Sequence, residues 1–213
     1  MCIQKPLTEA NPEPDSPGLK QVSVYLASAS PRRQQLLQQA GICFEVILPA
    51  IEEVARPGES AEEFVMRMAL AKAQAGLAQV AAENRPPAPV LGADTCIVLD
   101  NEIIGKPRDH EDGIRMLTKL AGRSHEVLTG VAVVNEEKVL QVLSRSQVTF
   151  APLSADEIEH YWRGGEPVDK AGGYAIQGQA AAFIERIEGS YTGIVGLPLF
   201  EVVTMIKKIG AKS

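Results

Sequence analysis

Val22-Ser23-Val24-Tyr25-Leu26-Ala27-Ser28-Ala29-Ser30-Pro31-Arg32-Arg33 is the stretch that decides how this chain folds. Its first half is rich in β-branched and aromatic residues, which suit a pleated, half-buried surface and predict a strand over 22–27. Pro31 suits the first position of a helix, where its missing N–H costs nothing, and Ser30 is a favoured N-cap. Leu36, Leu37 and Ala40 give that helix an apolar stripe, and Gly41 ends it. Two hydroxyls, a helix start and two guanidiniums therefore meet at the tip of a strand. Unpaired N–H groups and the positive end of the helix dipole face outward there, and arginine offers a planar fork matched to phosphate oxygens. From this stretch alone, an anion site and an ordinary capped helix with a solvated Arg32-Arg33 pair stay equally open.

Downstream, Cys43 to Leu48 reads as a second strand that leaves through Pro49 toward Ile51-Glu52-Glu53. Ser60 and Glu63 form a capping box for a long helix running to about Ala82, with Phe64, Val65, Met68 and Ala69 on its buried face. Helical spacing puts the stem of Lys72 on that apolar side. Its ammonium then either snorkels to the rim or reaches into a cleft toward a phosphate. Val90 to Leu99 reads as a buried strand interrupted by a carboxylate. Alternation places Asp94 on the face of Gly92 and Cys96, small neighbours expected to leave space beside it. A buried carboxylate without a partner is costly, so Asp94 must meet a cation, a metal or a donor network. A structural role, accepting backbone N–H bonds, is the competing reading.

Asp100-Asn101-Glu102 is a turn, and Ile103-Ile104 returns as a short strand into Gly105-Lys106-Pro107. Asp109 caps a helix with Ile114, Leu117 and Leu120 inward, closed by Gly122. Val127 to Val134 and Val139 to Phe150 flank Asn135-Glu136-Glu137 as a hairpin. His125 has no second histidine at ligand spacing and reads as a surface or hydrogen-bonded residue. Ser154 and Glu157 make another capping box, for a helix carrying Ile158, Tyr161 and Trp162 and ending at Gly164-Gly165. The glycine-rich run from Asp169 to Gly178 matches neither the Walker A nor the dinucleotide fingerprint. Close backbone approach to a ligand and a simple tight turn both remain open there. A strand follows over 181–187, and Val195-Gly196-Leu197-Pro198 opens the last helix, with Val202, Val203, Ile206 and Ile209 inward. This order of elements predicts a mixed α/β sheet flanked by helices, and leaves open a split by a cleft into two lobes.

Composition limits the classes of function. The chain has 213 residues, 45% hydrophobic and 23% charged, enough for a substantial core of ordinary globular type. A net charge of -6 argues against a general nucleic-acid binder. Cys2, Cys43 and Cys96 show no ligand spacing, which points to reduced thiols in a cytoplasmic protein. No stretch approaches the ~20 apolar residues that span a bilayer, so no membrane partner is expected. Residues 1–20 carry Pro12, Pro14 and Pro17 and no apolar run, and read as a disordered leader ahead of a single α/β domain over 21–213. The residues that resist a bland account are Ser28, Ser30, Arg32, Arg33, Glu53, Lys72, Asp94, Lys106 and Lys170. Cations and hydroxyls would hold a polyphosphate, and carboxylates would hold Mg²⁺ or Mn²⁺ or activate water. The reading is metal-assisted hydrolysis of a phosphoanhydride.

The ordered motifs Leu26-Ala27-Ser28-Ala29-Ser30-Pro31-Arg32-Arg33, Ile51-Glu52-Glu53, Gly92-Ala93-Asp94-Thr95, Gly105-Lys106-Pro107, Asp169 to Gly178 and Gly196-Leu197-Pro198 resemble the Maf family of nucleotide pyrophosphatases over about Val24 to Gly210. That resemblance implies an α/β fold with a deep central cleft, similar to the inosine triphosphate pyrophosphatases. It also implies hydrolysis of a nucleoside triphosphate to the monophosphate and pyrophosphate, with attack at the α-phosphorus. By motif position Asp94 would be the proton acceptor, with Lys72 and Lys106 beside it. Ser28, Ser30, Arg33 and Lys170 would bind the substrate, and Glu53 and Asp94 a divalent metal. Arg32, Thr95 and Gln177 are similar to the branch acting on dTTP and UTP, modified pyrimidine nucleotides included, as part of nucleotide-pool housecleaning. An amide such as Gln177 can both donate to and accept from a pyrimidine edge, and such readout discriminates well. Departures from the pattern are small, namely Ala29 where glycine is also common and Gly173 where alanine is common. The family's older link with septum formation leaves a second reading, a cell-division regulator acting by binding through Arg32-Arg33. A homodimer also stays open.

Overall fold

In the computed structural model, which describes residues 24–168 and 170–210, the opening stretch forms strand β1 (Val24–Ala27) and helix α1 (Pro31–Gln39). The leader expected over 1–20, the strand start at Val22 and Ser23, and Asp169 lie outside the described residues. Ser30 holds the extended N-cap position, but its hydroxyl makes no capping bond. Its backbone N–H is instead satisfied locally, donating to Ser28 Oγ at 3.2 Å.

Among the described residues the sheet has seven strands, in the order β2 (Phe44–Ile47), β1, β3 (Val90–Leu99), β5 (Ser124–Val134), β6 (Val139–Phe150) and β7 (Ile184–Glu188), with β4 (Glu102–Ile104) also on β3. β1 runs parallel to β2 and β3, and the remaining pairs are antiparallel. This is the mixed α/β sheet with flanking helices that the order of elements predicts. What places the site is a mismatch in strand length. β1 pairs with β3 only at Tyr25↔Val90 and Leu26↔Leu91, then turns away into α1. β4 joins that edge of β3 at Ile97. Among the described residues no strand lies beside that edge from Gly92 to Cys96, and a cleft opens there.

Helix α2 (Ala61–Ala82) begins at the expected Ser60/Glu63 capping box and covers one face of the sheet. Its Ala69, Ala73 and Val80 pack on Tyr25, Ala27, Val90, Ala132 and Val134, and its Val65 packs on Cys96, Val98 and Leu128. The other face of β3 and β5 presents Leu91, Ala93, Val131 and Val133, as period-two alternation requires. Leu36 and Leu37 of α1 cover it together with Val202, Met205, Ile206 and Ile209 of the last helix. Helices α3 (His110–Leu120) and α4 (Ala155–Arg163) enclose a further cluster around Leu117, Phe150 and Tyr161.

The C-terminal third departs from the sequence reading twice. Gln179–Phe183 winds as a 3₁₀ turn, so β7 starts only at Ile184. The three alanines there have little strand preference, and the Glu166 carboxylate accepts from the Gln179 and Ala180 N–H groups at 2.8 and 3.2 Å. Val195-Gly196-Leu197-Pro198 does not simply open a helix. It closes a short one, α5 (Tyr191–Val195), through Gly196 at φ 125°, before α6 (Leu199–Gly210) begins.

Candidate active site

Asp94 lies in the middle of β3, opposite Gly130 of β5, on the face covered by α2. A Cβ added at Gly92 would sit 2.2 Å from the Ala69 carbonyl oxygen and 2.7 Å from the Ala73 nitrogen, and one at Gly130 2.5 Å from the Val65 carbonyl oxygen. The two glycines let the helix backbone rest directly on the sheet. The expectation that Gly92 leaves space beside Asp94 is therefore corrected, because the helix fills that space. The consequence is chemical. Lys72, next to Ala73, is carried onto the carboxylate, and its Nζ donates to Asp94 Oδ1 at 2.6 Å while reaching Glu53 Oε1 at 2.9 Å. Lys72 and Asp94 are 8% and 7% exposed, which decides against snorkelling, whereas Glu53 is open to solvent. Cys96 shares this face, and burial, then the Asp94 charge, push its thiol up to about 12, so it supplies no thiolate.

Thr95 points to the opposite face and meets Arg33. The Arg33 guanidinium donates to Ser28 Oγ at 3.0 Å, to the Gly196 carbonyl at 2.9 Å and to Thr95 Oγ1 at 3.2 Å. Burial pushes its pKa below the ordinary value. Asp94 opposes that shift, Arg32 adds to it, and Glu53 opposes it. Burial also lowers Arg32. Both remain cationic, since a guanidinium does not deprotonate in a protein. The helix start that suggested an anion site thus carries one half-buried arginine at the cavity wall and one buried arginine, the latter locked to two loops.

Ser28, Arg32, Arg33, Glu53, Thr95 and Gly196 line a cavity of about 650 Å³ that also takes in Ser30, Lys106, Lys170 and Gln177, whereas Lys72 and Asp94 lie outside its lining. Glu53 joins the cavity wall to the Lys72–Asp94 pair behind it. Lys106 is exposed on the loop after β4, tied down where the Gly172 N–H donates to the Gly105 carbonyl at 2.9 Å. Lys170 is turned partly away, donating to the Glu166 carbonyl of its own loop at 2.5 Å. Ile97, Val127, Tyr174, Ile176 and Ile194 give the cavity an apolar side. A second hollow of about 640 Å³, between Leu77, Val80, Pro87 and Ile209, contains none of the residues singled out by their chemistry.

Among the described residues no three His, Cys, Asp or Glu side chains gather as a metal cage. Glu53 and Asp94 do converge, both within 3 Å of the same ammonium. Two carboxylates suit a hard divalent ion that takes its other oxygens from water and phosphate, as Mg²⁺ and Mn²⁺ do. The donor set fits such an ion and not a closed thiolate or imidazole site.

The sequence reading passed over Thr129, whose hydroxyl lies 2.9 Å from that of Thr95, and over the support behind Tyr174. His125 is buried and hydrogen-bonded, its Nε2 2.7 Å from the Tyr174 hydroxyl, with Phe150 edge-on. Isolated glycines inside strands, Gly92 and Gly130, were the local signal of close helix approach.

Comparison with known proteins agrees with these motifs. The family model described as Maf-like protein matches residues 23–209. The dTTP/UTP pyrophosphatase of Burkholderia lata is 51% identical over 193 residues, covering 87% of this chain and 92% of that protein. That of Vibrio parahaemolyticus is 49% identical over 189 residues, covering 89% and 98%. Among solved structures, the Staphylococcus aureus Ham1 protein aligns at a TM-score of 0.41 and 14% identity over 76% of this chain and 90% of that one.

Proposed function

The chain belongs to the Maf family, and we propose that it hydrolyses nucleoside triphosphates, dTTP and UTP foremost, to the monophosphate and pyrophosphate. One observation carries this reading. A buried carboxylate held by a lysine, Asp94–Lys72, stands behind a cleft whose wall is formed by Ser28, Arg32, Arg33 and Lys106.

In this reading Arg32, Arg33, Lys106 and Lys170 bind the phosphate oxygens, and Ser28 and Ser30 add hydroxyl donors. Lys72 holds Asp94 Oδ1, leaving the second carboxylate oxygen to take a proton from water. The water oxygen bonds to the α-phosphorus, the bridging bond to the β-phosphate breaks, and pyrophosphate leaves against the cationic wall. A divalent cation, held by Glu53 and Asp94 together with substrate oxygens, would supply further charge neutralisation when bound. Gln177, exposed at the rim, reads the pyrimidine edge with Arg32 and Thr95. Modified pyrimidine nucleotides fit the same contacts.

The test is pyrophosphate release from UTP, dTTP, CTP, ATP and GTP with Mg²⁺, with Mn²⁺, and after chelation. Fast release from UTP and dTTP, abolished by chelation and restored by either ion, is expected. Tight UTP binding with no pyrophosphate released would make the chain a sensor instead. An Asp94→Asn protein that kept a full effect on cell division would move the function to binding.

A further inference from the structure

The hydroxyl of Thr95 belongs to a hydrogen-bond chain whose direction has a single solution. At one end Arg33 Nη2 lies 3.2 Å from Thr95 Oγ1, and a guanidinium can only donate. At the other end Thr129 Oγ1 lies 2.8 Å from the Gly193 carbonyl oxygen, which can only accept. A hydroxyl has one proton, so Thr129 spends its proton on Gly193 and accepts from Thr95 across 2.9 Å. The Thr95 proton is thereby committed to Thr129. Solvent offers Thr129 no alternative donor, because it is 0% exposed and is the direct cross-strand neighbour of Thr95 in the β3–β5 ladder.

We propose that Thr129 is a positioning residue for base selection. It fixes Thr95 as a pure hydrogen-bond acceptor toward the cleft, and so selects a base that presents an N–H, the imide of uracil or thymine. The inference rests on the function proposed above and gives that substrate class a physical origin. Thr95 stands where the Arg33 corner meets the apolar side formed by Ile97, Val127 and Ile194, a surface suited to a flat base. A phosphate oxygen is itself an acceptor and gains nothing from a hydroxyl whose proton is withdrawn. One Thr95 lone pair takes the Arg33 N–H, and the other is left for the ligand. Uracil and thymine meet it with N3–H, whereas cytosine presents a lone pair at N3 and the two acceptors repel. A Thr95 hydroxyl free to rotate would serve both bases, donating to one and accepting from the other. The selectivity therefore comes from Thr129, which touches no substrate.

The test compares kcat/KM of pyrophosphate release for UTP and CTP in the wild type, Thr129→Val and Thr129→Ser. Both substrates are assayed on the same sample, so any loss of folded protein cancels in the ratio. In Thr129→Val the UTP-to-CTP ratio should drop by about tenfold, mainly through a lower KM for CTP. Thr129→Ser keeps the hydroxyl and should restore the wild-type ratio. Thr129→Ala gives the same comparison where valine is not accommodated. A Thr129→Val protein whose two activities fall in parallel, with the ratio unmoved, would overturn the inference and leave Thr129 a packing residue. In that case an active wild type keeps the pyrophosphatase reading intact. A wild type that turns over neither UTP nor dTTP overturns that reading first, and this inference with it.

Discussion

Asp94 is tolerated inside an apolar strand because its charge is met where it is buried. Lys72 supplies the counter-charge at 2.6 Å and extends to Glu53 at the cleft wall. The two members of the pair should fail differently when replaced. Lys72→Met strands a buried carboxylate, and breaking such a pair costs about 3–5 kcal/mol, visible as an earlier urea midpoint at unchanged slope. Asp94→Asn keeps the shape and an acceptor for the lysine, so the protein should melt within a few degrees of wild type. Its turnover should nevertheless fall by about 10²–10⁴-fold, the usual worth of a positioned general base. An Asp94→Asn enzyme with near-normal turnover would remove the carboxylate from the chemistry.

At the scale of elements, the decisive contact is between α2 and β3. A side chain at Gly92 would strike helix backbone, not a flexible side-chain end, so α2 must lift away or the strand must bend. Gly92→Ala should lower the melting temperature by an amount equivalent to about 1–3 kcal/mol and, by withdrawing Lys72 from Asp94, reduce kcat as well. Gly105→Ala is the control, since an added Cβ there meets nothing within 4 Å, and its melting temperature should stay close to wild type. Much at this scale was legible in the sequence. The Ser60/Glu63 and Ser154/Glu157 capping boxes both form, and the strand from Val90 to Leu99 has the bounds its apolar run suggests. The misreadings fall where an element depends on a distant partner. The 3₁₀ turn at Gln179–Phe183 is held by Glu166 through the Gln179 and Ala180 N–H groups, and no local pattern announces that bond.

The whole molecule carries a pH dependence set in its core. Burial pushes the His125 imidazolium down to about 4, against about 6.5 in an unfolded chain. Between those values the unfolded chain binds a proton that the folded one refuses. Stability from this group is complete above about pH 6.5 and is lost as pH falls toward about 4, a change on the order of 3 kcal/mol. Asp112, held well below the carboxylate range by hydrogen bonds from Arg115 and Arg108, acts only at lower pH and does not confuse this window. Melting temperatures from about pH 8 to about pH 5 should therefore fall more steeply for wild type than for His125→Gln, whose amide can hydrogen-bond to Tyr174 in either direction. Equal slopes would show that the proton goes elsewhere.

The sequence by itself determined the elements up to the C-terminal third, the types of group available for chemistry, and the family. Helix caps, alternation and motif order are written within a few residues of one another, and short-range sterics and hydrogen bonding act on that scale. Only the tertiary structure decided how those groups work together. Asp94 and Thr95 are neighbours in the chain but serve opposite faces of the sheet. They serve one site because β1 ends early and leaves the edge of β3 open, with Thr95 lining the cleft and Asp94 joined to its wall through Lys72 and Glu53. Arg33 reaches Gly196 across 163 positions, and the direction of every proton in the Arg33–Thr95–Thr129–Gly193 chain follows from which atoms end up within 3.2 Å. Long-range packing sets those distances, and no local pattern encodes them.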